Sequence, residues 1–167
     1  MKDINDSAVG SYKSTSNIKP IEFSDTQILN WAETILEKRF IRSDYLTSPD
    51  MTRDYLRVAL SKFEREVFLV ILLDNQHGVL EAEILFQGTI DGAAVYPREV
   101  VKLALSKNAA AVIFAHNHPA GIAEPSNADK VITQRLVTAL QTVDICVLDH
   151  LVVGSVNIVS FAERGLI

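Results

Sequence analysis

The run Glu66-Val67-Phe68-Leu69-Val70-Ile71-Leu72-Leu73-Asp74 constrains this chain more than any other stretch. It is apolar on both alternating faces, so it cannot be a half-exposed strand and belongs inside a sheet. Asn75-Gln76-His77-Gly78 supplies a turn, with His77 read as a solvated turn residue. Val79 to Gln87 then returns as a second strand, with Leu80, Ala82 and Ile84 opposing Glu81, Glu83 and Leu85. A hairpin is antiparallel by construction, whereas the rest of the chain alternates helices with strands, the order that builds parallel pairs. A mixed central sheet is therefore expected, in a chain of 167 residues that is sized for one domain.

Residues 1–23 are rich in Ser, Asn, Lys and Asp without periodicity and read as a flexible leader. Ser24-Asp25-Thr26-Gln27 looks like a capping box, and Ile28, Leu29, Trp31, Ala32, Ile35 and Leu36 form one apolar stripe of a helix running to about Arg39. This N-terminal helical extension occupies 24–44. Its stripe has to be buried, either on the main sheet or against a second copy of the chain, which would make a homodimer.

The main domain is expected over 45–167. Ser48-Pro49 announces a helix to about Lys62, and Arg53, Arg57, Lys62 and Arg65 read as a solvated face mixed with Asp50, Asp54 and Glu64. After a loop to Tyr96, Pro97 starts a helix to about Leu105. Strands are expected at 110–115, 145–153 and 157–159, with a helix from Ser126 to about Gln141 between the first two.

Several classes of function lose support from composition. A net charge of -5 and a pI near 5.3 argue against a surface built to neutralise a phosphate backbone. No apolar run is long enough to span a bilayer, and the polar N-terminus lacks the hydrophobic stretch of a signal peptide. The single cysteine, Cys146, cannot form an internal disulfide, so a cytoplasmic protein is expected. Lying within Ile145-Cys146-Val147-Leu148, it reads as an inert core thiol.

The chemistry concentrates after the strand at 110–115. In an extended segment residues i and i+2 point to one side, so His116 and His118 can face one point in space. Pro119 and Gly121 turn the chain, and a helix begins near Ser126, with Asp129 on the same face of its first turn. Two imidazoles and a carboxylate are the ligand count of a catalytic Zn²⁺ site, three protein groups with a fourth position for water. Each part has an ordinary reading as well, since His-x-His occurs in polar loops and Ser-x-x-Asp resembles a capping box. The capping and the metal readings are compatible, because a capping serine beside a metal is also a placed hydroxyl.

His116-x-His118 with Ser126 and Asp129 at this spacing is similar to the JAMM (MPN+) metalloprotease motif, and His-Asn-His-Pro-x-Gly with Pro-Ser-x-x-Asp resembles its RadC-like branch. Gly88-Thr89-Ile90-Asp91-Gly92, Val95-Tyr96-Pro97-Arg98-Glu99-Val100, Leu148-Asp149-His150-Leu151-Val152-Val153-Gly154 and Ser160-Phe161-Ala162-Glu163-Arg164-Gly165-Leu166 extend the resemblance over roughly 45–167. Ala120, in place of the more usual serine, is the one departure within the motif, and it touches neither ligand nor base.

The resemblance implies a cytidine-deaminase-like JAB/MPN fold of the α/β (α+β) class, with a mixed sheet and helices on both faces. It implies one Zn²⁺ held by His116, His118 and Asp129. It also implies that Ser126 hydrogen-bonds an oxyanion and that Glu66, matching the motif's upstream glutamate, is the general base. The activity implied is hydrolysis of a peptide or isopeptide bond by metal-activated water, on a protein or peptide substrate.

His150, inside a strand, is read as a core or supporting group rather than a fourth ligand, which would close the water site. Three adjacent letters His-Asn-His do not make the nuclease site of that name. Nucleobase deaminases hold zinc with a Pro-Cys-x-x-Cys pair that this chain lacks. The alternative is a DNA-associated or scaffold module without turnover, since RadC-like proteins are linked by name to DNA repair. A helix-hairpin-helix segment needs a glycine hairpin, and Gly10 is the only glycine before Gly78, which with the charge gives nucleic acid little support.

Overall fold

A computed structural model describes residues 23–42, 49–88 and 95–167. The leader through residue 22, the Ser48 cap and the motif residues Thr89 to Gly92 lie outside them. In chain order the elements are α1 (Asp25–Arg42), α2 (Pro49–Ser61), β1 (Val67–Leu73), β2 (Val79–Gln87), α3 (Pro97–Ser106), β3 (Ala111–Asn117), α4 (Asn127–Gln141), β4 (Cys146–Val153) and β5 (Ile158–Ser160). The sheet order is β2-β1-β3-β4-β5. Only β3 and β4 pair in parallel, joined through α4; β1 is antiparallel to both β2 and β3, and β5 to β4. The sheet is mixed, as the hairpin required.

Every residue of β1 and β3 is buried, because the sheet is covered on both sides. Leu69, Ile71, Leu73, Ala111, Ile113 and Ala115 pack on Tyr55, Leu56, Ala59 and Leu60 of α2. The alternate residues Phe68, Val70, Leu72, Val112 and Phe114 pack on Val100 and Ala104 of α3 and Leu136 and Leu140 of α4. Period-two alternation thus assigns each strand residue to one of two cores. His116 continues the α3/α4 side of β3, and Asn117 continues the α2 side.

Two details depart from the sequence reading. The strand expected at 110–115 extends through Asn117, so His116 lies within β3 rather than beyond it. Cys146 is exposed, not a core thiol. It opens β4 at the rim of the sheet, and the apolar run around it indicated strand but not which residue the alternation turns outward; the neighbouring Ile145 is the buried one. The N-terminal helix is α1. Its capping box forms, with Gln27 N–H donating to Ser24 Oγ at 3.3 Å and Ser24 N–H to Gln27 Oε1 at 3.0 Å. Leu36 packs against the α2-side core, but Ile28, Leu29, Trp31 and Ile35 each stay about half exposed, at 48–51%.

The basic residues of α2 are solvated ion pairs, Arg53 with Asp50 and Glu163, and Arg57 with Asp54. Lys62 pairs with Glu33 and ties α1 to the end of α2. No helix among the described residues is long and apolar enough to cross a membrane.

Candidate metal centre

Three potential ligands converge where β3 ends and α4 begins. His116 Nε2 lies 3.0 Å from His118 Nε2 and 3.5 Å from Asp129 Oδ1, and His118 Nε2 lies 3.5 Å from Asp129 Oδ2. One ligand atom from each residue fits within a 4.8 Å group. For metal–nitrogen and metal–oxygen distances of about 2.0–2.1 Å, a tetrahedron has edges of roughly 3.3 Å. The observed 3.0–3.5 Å spacings lie near that edge, with His116 nearest Oδ1 and His118 nearest Oδ2 of Asp129, so the three side chains form a potential metal site.

Hydrogen bonds behind the ligands settle how each is presented. His118 Nδ1 faces the carbonyl of Ile122 at 2.7 Å, and a carbonyl only accepts. Nδ1 therefore carries the proton, and the Nε2 lone pair points into the centre. The loop that provides this carbonyl is pinned to the end of β4. Ser155 N–H donates to Gly121 O at 3.0 Å, and His118 N–H donates to Val153 O at 2.9 Å. Gly121 has φ of +86°, a left-handed conformation suited to glycine. Gly154 lets the two segments close, since a Cβ there would lie 2.6 Å from Gly121 O.

His116 is supported by a buried file of groups. Its Nδ1 is 2.8 Å from His150 Nε2, and His150 Nδ1 is 2.6 Å from Thr133 Oγ1, which also reaches the carbonyl of Asp129. Protons can be arranged along this file in two directions. A cation at His116 Nε2 selects the one in which His116 Nδ1–H donates to His150, His150 Nδ1–H donates to Thr133, and the threonine hydroxyl donates to Asp129 O. Every polar atom of the file then keeps a partner. Burial, followed by the proximity of His116, holds the His150 imidazole well below its usual pKa and hence neutral. The rings of Phe161, Phe68 and Phe114, at 4.7, 5.4 and 5.9 Å, enclose it.

Asp129 is presented by the helix start. Ser126 caps α4 in a reciprocal box: Asp129 N–H donates to Ser126 Oγ at 3.1 Å, while the Ser126 N–H and hydroxyl both donate to Asp129 Oδ2 at 2.7 Å. Burial alone would raise the Asp129 pKa, but hydrogen bonds from His116 and Ser126 outweigh it. The net result lies well below the usual carboxylate range. Ser126 itself is exposed and so open to an incoming molecule.

Glu66 precedes β1 and is half-buried. Phe68 pairs with His116 across β1 and β3, so carrying that antiparallel register on by two residues sets Glu66 opposite His118, on the ligand side of the sheet. Its carboxylate makes no hydrogen bond or ion pair among the described residues; its carbonyl accepts from Gly88 N–H at 2.8 Å. The structure thus gathers His116, His118, Asp129 and Ser126, and among the described residues Glu66 makes no hydrogen bond to them. His150 lies behind His116, with both ring nitrogens within hydrogen-bond distance of His116 and Thr133. Thr133 and Asn117 went unnoticed in the sequence; their signal is a polar residue at a position where the helical or strand period demands burial. A cavity of about 360 Å³ opens beside His118, with Arg57, Phe63, Asn117, Pro119 and Ser155 among its walls.

A mixed sheet sandwiched by helices, with a His-x-His strand end facing a Ser-x-x-Asp helix start, defines a JAB-type domain with a potential metal site. Residues 46–166 match the RadC-like JAB domain, and the chain belongs to that family. It is 53% identical over 153 residues to a "UPF0758 protein" of Vibrio cholerae serotype O1, covering 92% of this chain and 97% of that one. A "UPF0758 protein" of Shewanella baltica strain OS155 is 54% identical over 151 residues, 90% of this chain and 67% of its own. A relative from Shewanella sp. strain ANA-3 is 53% identical with the same coverage.

Proposed function

We propose that this chain is a zinc-dependent hydrolase that cleaves a peptide or isopeptide bond in a protein or peptide substrate. The observation that carries the reading is the convergence of two imidazole Nε2 atoms and the Asp129 carboxylate at 3.0–3.5 Å. Two nitrogen ligands and one oxygen suit zinc, and the ligand count matches its catalytic sites.

Zinc held there would supply Lewis-acid activation of a water molecule and of the scissile carbonyl. Glu66 acts as general base, taking a proton from the attacking water and returning it to the leaving amine. Ser126 Oγ, now donating to Asp129, turns its hydroxyl toward the oxyanion as the carbonyl carbon becomes tetrahedral. The Asp129 N–H holds that oxygen in place while its proton changes partner. A cytoplasmic setting is in keeping with the lone Cys146, and the half-exposed stripe of α1 is the surface through which a homodimer would form.

The test is zinc stoichiometry together with turnover of peptide and isopeptide substrates by wild type and Glu66→Gln. Bound zinc, amide cleavage by wild type and a loss of about 10²–10⁴ in the variant are expected. Stoichiometric zinc without cleavage would favour a scaffold. DNA binding unchanged by Asp129→Ala would favour a DNA-associated module.

A further inference from the structure

Asn117 stands between the two histidines, and the alternation of β3 turns it away from them, to the α2 side. It is 6% exposed. Its amide grips the chain just ahead of β1. Oδ1 accepts from Val67 N–H at 2.8 Å, and Nδ2 donates to the carbonyls of Phe63 at 3.3 Å and Arg65 at 3.1 Å. These three backbone groups bracket Glu66.

Residues 63–66 belong to neither α2 nor β1, and one bond at the end of the β1–β2 ladder holds the backbone that carries Glu66. Among the described residues its other backbone ties are Phe63 N–H to Leu60 O at 3.3 Å and Gly88 N–H to Glu66 O at 2.8 Å. A primary amide offers two donors and an acceptor at one short reach. Aspartate has the reach without the donors, and glutamine is one methylene too long. The strand that presents His116 and His118 on one face thus holds the base-bearing segment with its opposite face.

We propose that Asn117 is the positioning residue for Glu66, coupling the location of the general base to that of the metal ligands. The proposal rests on Glu66 having the role given above. Because a displacement of about 1 Å at a reacting group can cost roughly 100-fold in rate, such a coupling has a measurable consequence.

Two variants test it. Asn117→Asp keeps the acceptor for Val67 N–H but sets a carboxylate against two carbonyls. Asn117→Thr removes the grip with a residue that strands favour. With Co²⁺ as the bound ion and glutamate side chains labelled with ¹³C, the Glu66 carboxyl signal is assigned by its loss in Glu66→Gln, and its paramagnetic shift reports its position relative to the ion.

In either folded variant Co²⁺ should still bind, with the His116 and His118 ring shifts retained, while the Glu66 shift moves or broadens. Turnover should show kcat down by about 100-fold with KM little changed. An unchanged Glu66 shift overturns the proposal. Loss of Co²⁺ binding in both variants, or failure of both to fold, overturns it too, since Asn117 would then support the ligands or the fold alone. If wild type cleaves no amide, the hydrolase reading fails while the shift comparison still decides what Asn117 does.

Discussion

Replacing His150 by leucine removes the group behind His116 without touching a ligand. His116 and His150 are 1% and 0% exposed, so no water can take over the lost bond. In the arrangement a cation selects, His116 Nδ1–H donates across 2.8 Å to His150 Nε2. Leucine leaves that buried N–H without an acceptor, at a cost of about 1–3 kcal/mol. The cation-free protein partly escapes the cost, because His116 can move its proton to Nε2 and donate toward His118, 3.0 Å away. The penalty therefore falls mainly on ion binding, where about 1.4 kcal/mol is a factor of ten, so Zn²⁺ affinity should drop by roughly 10–100-fold.

His150→Gln is the control, since its amide can accept from His116 and donate to Thr133. Competition for Zn²⁺ against a chelator of known affinity at fixed pH measures both variants, and thermal unfolding without zinc reports on the fold. Affinity of the leucine variant within about twofold of wild type would refute the reasoning. An equal loss in glutamine and leucine variants would refute it as well.

Two further outcomes follow from the same geometry. The folded-state pKa of Asp129 is depressed, so its stabilising effect is present above about pH 4, where the unfolded carboxylate is ionised, and is lost as pH falls through the folded value. The stability deficit of Asp129→Asn, measured by urea unfolding without metal, should therefore be largest near neutrality and shrink in acid; a deficit independent of pH would contradict the assignment. Gly154→Ala should destabilise by about 1–3 kcal/mol in thermal unfolding and weaken zinc binding, because its Cβ would press on Gly121 O and Ala123 N in the loop that orients His118. Unaltered stability would mean that the loop gives way freely.

The cluster of potential ligands was legible in the sequence because its spacing is local: His116 and His118 share one side of an extended segment, and Asp129 shares a helical turn with its capping partner Ser126. The hairpin at 67–87 was legible for the same reason. What sequence order hides is contact across elements. His150 sits within the apolar strand Leu148 to Val153, and nothing in that stretch says its ring meets His116 from β3 and Thr133 from α4. Asn117 is the middle residue of His-x-His, and strand alternation puts it on the face opposite His116. The α1 stripe was legible as apolar, but the surface that would cover it was not, and Ile28, Leu29, Trp31 and Ile35 remain half exposed.

The file from His116 through His150 to Thr133 crosses a face otherwise filled by Phe68, Phe114 and Leu136. Misthreading β3 by a single residue would send its imidazole among the aliphatic side chains of α2 and strand the other two polar groups. These three residues therefore add a polar penalty to a slipped pairing of the central strands. That penalty favours the native register whether or not an ion is bound.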